Sequence, residues 1–239
     1  MTRAPKRLIG VAALLALLLI MATFPMRLAL GLSGASDAGF SAQTVKGSVW
    51  SAEIVDARLG ALPLGTLQAR LSPLALLTGR TDLVFERDDA RLGALTGRLH
   101  GSDPRGLSNV NGMTSLSGGL GNIPVEALRF EEARVRFGAA GRCVEAGGRL
   151  QLTVAAPIAG LNLSRGLSGP LSCSKGWAQA ALASQSGMER LKISFDGSGA
   201  WRAEFSIIVD KDPAMAAALA ALGFRAREGS FRLTTSGRF

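Results

Sequence analysis

Few residues in this chain are able to do chemistry. One histidine, His100, and two cysteines, Cys143 and Cys173, occur among 239 residues, and tyrosine is absent. A lone imidazole excludes His-His metal sites and leaves one base for any nucleophile relay. Two cysteines are too few for four-cysteine zinc or ordinary iron–sulfur ligation. The acidic pairs Asp88-Asp89 and Glu131-Glu132 are adjacent in sequence. Neighbours on a strand point to opposite faces, so neither pair converges as a glycosidase acid and nucleophile must. His100, beside Gly101 in a turn-like stretch, reads as an exposed loop residue. Leu116-Ser117-Gly118-Gly119-Leu120 lacks the Lys-Ser/Thr of a phosphate-binding loop. Asn162-Leu163-Ser164 is a glycosylation acceptor only in a eukaryotic secretory pathway. The expectation is a protein that is not an enzyme, with no catalytic residue, no cofactor and no metal.

The formal charge is +9, but four bases (Arg3, Lys6, Arg7 and Arg27) precede the first acid, Asp37. The rest of the chain is mildly basic, and its bases are dispersed. Nucleic-acid binding needs a clustered patch, so no nucleic-acid partner is expected.

The N-terminus carries the strongest signal. Leu8 to Met26 contains no charge, and as a helix it would reach about 28 Å, close to the hydrocarbon thickness of a bilayer. Three bases before the run and one just after place the N-terminus in the cytoplasm. The favoured reading is an uncleaved single-span anchor, with residues 1–27 as stub and membrane helix. The alternative is a signal peptide cut after Ala35, although signal cores are shorter than this run. Both readings export residues 37–239. In an oxidising compartment Cys143 and Cys173 form a structural disulfide, whose loop stabilises by roughly 3–4 kcal/mol in the chain-entropy model. Two buried free thiols are the alternative.

The elements behind these residues read as strands. Apolar residues alternate at Leu67-Ala69-Leu71, Leu150-Leu152-Val154, Leu191-Ile193-Phe195 and Phe231-Leu233. The same period puts Trp201, Ala203, Phe205 and Ile207 on one apolar face, with Arg202, Glu204 and Ser206 opposite. A phase slip across Glu131-Glu132 predicts a β-bulge. Turns are expected at Gly118-Gly119, Gly147-Gly148 and Asp196–Gly199. Two short helices are expected: one from Pro73 to Gly79 capped by Ser72, the other opening at Asp212-Pro213 and stopped by Gly223. The fold class is therefore mainly β: an antiparallel, bent or twisted sheet over 28–239. Its possible two halves would meet in the glycine-rich stretch 97–121.

Several segments in order then resemble one family. They are Gly47-Ser48-Val49-Trp50-Ser51, Leu62-Pro63-Leu64-Gly65, Leu71 to Gly79, Leu167 to Cys173, and Ala220 to Phe224 before a closing strand. This order is similar to protein N of the type II secretion system, the general secretion pathway, over nearly the whole chain. Ala52 stands where the pattern leads one to expect Gly. The resemblance implies a bitopic inner-membrane protein of a Gram-negative bacterium with a periplasmic domain. It would be an accessory to the machinery that passes folded proteins through the outer membrane. Its partners would be other inner-membrane components of that machinery, and the resemblance brings no catalytic residue. A bent sheet with an apolar concave face would also suit acyl chains, so periplasmic lipid handling is the alternative function. An envelope hydrolase ranks third, for want of a nucleophile–base set.

Overall fold

Strands with one apolar and one polar face are stable only side by side, with the apolar faces turned inward together. In the computed structural model, which describes residues 4–36, 39–60, 62–115, 123, 125–154, 165–209 and 213–238, the strands join in one 15-stranded antiparallel sheet. The chain opens with helices α1 (Ala4–Thr23) and α2 (Met26–Leu32), then β1 (Phe40–Ser41), β2 (Thr44–Ser48), β3 (Ser51–Leu59) and β4 (Leu62–Leu71). Helix α3 (Pro73–Leu77) leads to β5 (Asp82–Arg87), β6 (Leu95–His100), β7 (Arg105–Ser115), β8 (Val125–Phe137) and β9 (Cys143–Val154). The remainder is β10 (Leu167–Ser174), β11 (Trp177–Ala183), β12 (Glu189–Phe195), β13 (Ala200–Ile208), α4 (Pro213–Ala221), β14 (Arg225–Arg227) and β15 (Ser230–Arg238). From β3 to β13 each strand pairs with the next in sequence; the sheet ends β13-β15-β14, and β2 joins β1 beside β3.

The uncharged N-terminal run is not one helix. Proline disfavours helical backbone at the residue before it, so α1 stops at Thr23 and Pro25 instead bridges Ser48. Met26, counted above with the anchor, is 2 % exposed in the core of the sheet domain. The domain therefore starts two or three residues before the predicted boundary at 27/28. Among the described residues no helix is long and apolar enough to cross a membrane. The side chains of α1 are described from Ile9 onward.

The stretch 97–121 is not a joint as far as it is described: β6 and β7 occupy it to Ser115. Glycine at position 97 makes room for an aromatic ring across the strand pair, since a Cβ there would lie 2.5 Å from the Phe85 ring. Gly147-Gly148 is likewise no turn but lies inside β9, facing the bulge of β8. That bulge falls where the phase slip put it. Glu132 has φ +48°, and pairing with β9 slips between Glu131 and Arg134. A second bulge at Asn109 (φ +51°) lies against it, tied by Asn111 Oδ1 accepting the Glu132 N–H at 2.8 Å. Bulges strengthen twist, which lets so long a sheet curl. The turn at Asp196–Gly199 is present, as are both expected short helices. Ser72 precedes α3, but its side chain makes no capping hydrogen bond. Gly118-Gly119, Asn162 and Asp212 lie outside the described residues.

The apolar faces merge into a core running from β6 to β15, with α4 laid on it through Leu219. A second cluster under α2 joins Met26, Val49, Ala52, Ile54 and Leu67. Leu64 and Phe85 touch both clusters.

Candidate functional site

Three places hold polar or apolar groups in arrangements that local sequence does not explain. The first concerns His100, which is not an exposed loop residue. Antiparallel pairing of β5 with β6 sets His100 opposite Asp82, and β7 brings Ser108 alongside. His100 Nδ1 lies 2.6 Å from Asp82 Oδ1, and His100 Nε2 lies 2.7 Å from Ser108 Oγ. The His and Asp side chains are 16 % and 21 % exposed. This is the connectivity of a serine-protease relay, so a nucleophile–base set does exist in the chain. Acyl transfer also needs oxyanion donors and a cleft to hold the acyl group. A cleft of about 300 Å³ is lined by Met113, Leu128, Glu131 and Thr153, and one of about 450 Å³ by Arg165, Ser184, Ser186 and Glu189. Neither of these two reaches the trio, whose bonds link three adjacent strands at one level.

The second place is Arg87 at the end of β5, 2 % exposed. Its guanidinium donates to the carbonyls of Leu64 (2.8 Å), Gly93 (3.0 Å), Leu92 (3.0 Å) and Met113. Burial pushes its pKa down, and nearby Asp89 opposes that shift. Close by, Thr114 Oγ1 donates to the Pro63 carbonyl at 2.9 Å. β4 and β7 are separated by two strands in the sheet, so these bonds exist only because the sheet rolls over at this end. Arginine, with five fixed donors and a charge that persists when buried, can satisfy several converging carbonyls at once.

The third place is the face predicted from β13. Phe205 and Ile207 are completely buried, whereas Trp201 is half-buried over Gly237, its cross-strand partner. Phe205 packs edge-to-face with Phe224 at 5.7 Å, beside Leu219 of α4. The apolar face is thus filled by the chain's own side chains. Cys143 and Cys173 are disulfide-bonded, with S–S 1.99 Å and Cα–Cα 5.6 Å, across the strands β9 and β10.

The acidic pairs have structural occupations. Asp89 Oδ1 accepts the N–H groups of Leu92 (2.9 Å) and Arg91 (2.7 Å), which hold its carboxyl below the usual range. Glu131-Glu132 forms the β8 bulge. Among the described residues no cluster of His, Cys, Asp or Glu could hold a metal ion. Sequence reasoning missed the trio and Arg87 alike. Only the strand register, which no local signal gives, would have disclosed them.

A family model for protein N of the type II secretion system matches residues 38–234. Neither the curated proteins nor the solved structures gave a match to this chain.

Proposed function

The chain belongs to the type II secretion system protein N family, and from that premise we propose that it is an accessory inner-membrane component of the secretion machinery. It works by protein–protein contact, with the sheet domain in the periplasm and partners among the other inner-membrane components. The observation that carries the contact reading is the filled core. With Phe205 and Ile207 fully buried beneath α4 and Phe224, this face offers no open channel for an acyl chain among the described residues.

The anchor in this reading is the uncharged sequence run from Leu8 to Met26, because the described part of α1 is by itself too short to span. The large apolar side chains of α1 from Ile9 to Met21 are 54–69 % exposed instead of packing on the sheet. Such a surface calls for a lipid environment. Cells are fractionated after a carbonate wash, with photo-crosslinkers placed on exposed sheet residues. The chain should stay with the membrane and crosslink to secretion components. Release as a soluble shortened chain would overturn the anchor, and crosslinks to lipid alone would overturn the contact reading.

No catalytic role belongs to the Ser108–His100–Asp82 trio in this proposal. A fluorophosphonate probe should leave Ser108 unlabelled; labelling that disappears in His100→Gln would assign the protein a hydrolytic function instead.

A further inference from the structure

A sheet edge is a row of unpaired N–H and C=O groups, and proteins protect such edges or use them. β15 pairs with β13 along its whole length, from Ser230 to Arg238. On its other side β14 covers only Ser230, Phe231 and Arg232. Among the described residues the outer edge from Leu233 to Arg238 has no strand beside it and accepts or donates no further backbone bond. These six residues contain no proline, no lysine and no bulge, and Arg238 at their end is their one charged side chain.

The side chains define what would fit. Alternation and cross-strand pairing put Phe231, Leu233 and Thr235 on the inner face, with Arg232, Thr234 and Ser236 on the outer one. β14 adds Arg225 and Arg227 to the outer face, both exposed and without an ion pair among the described residues. Arg232 is matched by Glu204 at 3.4 Å, and Glu228 in the turn is the only acid of the β14–β15 hairpin. On the open segment itself the outer rim carries Thr234, Ser236 and Arg238 and the inner rim Leu233, Thr235 and Gly237, with Arg225 of β14 at its covered end adding to the basic outer face.

We propose that the free edge of β15 receives an extended segment of a partner protein in which acidic and apolar residues alternate, added as an antiparallel strand. Backbone bonds would supply the register, the arginines would select the acidic face, and the inner rim beside Trp201 and Gly237 would take the apolar one. The inference rests on the protein-contact reading and gives it a surface. Crosslinking in cells tests that reading whatever the edge does.

The test uses the full chain and an eight-residue peptide of alternating valine and glutamate with blocked ends. Amide hydrogen exchange should slow at Leu233–Arg238 when the peptide binds. A copy methylated on its backbone nitrogens should not bind. Arg225→Glu with Arg227→Glu, both exposed, should weaken binding about tenfold, and a lysine-for-glutamate peptide should fail on the unaltered chain. Unchanged exchange at Leu233–Arg238 overturns the proposal, as does equal binding of the methylated copy, which would reduce the contact to charge alone. It is also overturned if the free chain already protects this edge through a second copy that the peptide does not displace.

Discussion

The two ends of the sheet are finished differently. At the N-terminal end, α2 lies against β2, Met26 sinks into the core, and Trp50 Nε1 donates to the Met21 carbonyl at 2.9 Å. The Val49 N–H reaches the Phe24 carbonyl at 3.0 Å. These contacts tie that end to α1 and α2, and the Pro25–Ser48 bridge covers one end of the edge strand β2. At the C-terminal end the core is as dry, yet β15 keeps six residues of edge open. Interior packing and edge protection are thus separate properties, and here they part company. A chain under no constraint but folding would cover both edges, because an open one invites aggregation.

Mutations can break this comparison. The largest effect should come from Phe205→Ala, expected to cost about 3–5 kcal/mol in urea unfolding, as for a buried aromatic in a plain core. Phe205→Glu should fail to fold, since an unpaired carboxylate resists burial. A Phe205→Glu protein that melts like wild type but has lost co-purifying lipid would show a groove at the C-terminal end, making the two ends unlike in the core as well.

Met26→Ala should cost about 2–4 kcal/mol. Hydrogen exchange should quicken in β2 and β3 while β12–β15 stay unchanged, if the two clusters unfold separately. Uniform quickening would make them one cooperative unit.

Asp82→Asn should cost about 1–2 kcal/mol, because it removes a charged partner from His100 but keeps the shape. Its effect should be confined to β5–β7, between the two ends and nearer the N-terminal one.

The smallest effect is acid-dependent. Burial raises the Asp196 pKa, but bonds from the Ser198 hydroxyl and the N–H groups of Ser198 and Ala200 outweigh it, so the net shift is downward. A folded-state pKa below the unfolded one contributes stability above the unfolded value, lost as pH falls through the folded one. Melting temperature should therefore drop modestly below about pH 4 and be flat above it. Asp196→Asn should flatten that drop.

The sheet and its phase were legible in the sequence because side-chain alternation has a period of two, and burial enforces it residue by residue. That is why Phe205, Ile207 and the slip at Glu131-Glu132 could be read. The glycine-rich stretch misled because glycine has two uses: it opens turns, and it makes space for a ring such as Phe85. His100 misled for another reason. Its partners lie 18 and 8 residues away in sequence and are delivered only by strand register. Arg87 is one step further removed, since its carbonyls converge only after the sheet rolls. The uncharged run hid α2, because an apolar stretch looks the same whether it enters lipid or a protein core.

The bond from Trp50 to Met21 has a mechanical consequence. Together with the Pro25–Ser48 bridge it leaves no slack between α1 and the first long strands. Were α1 seated in a bilayer, as proposed, the domain would be a cantilever clamped at its root. Strands spaced about 4.8 Å apart carry the open edge roughly 60 Å along the curve of the sheet from that clamp. Its free end would then be held at a set height and angle above the lipid, where a flexible tether would let it sweep. Inserting a few glycines between Thr23 and Met26 would unclamp the root and leave every strand intact, separating the value of reach from the value of aim.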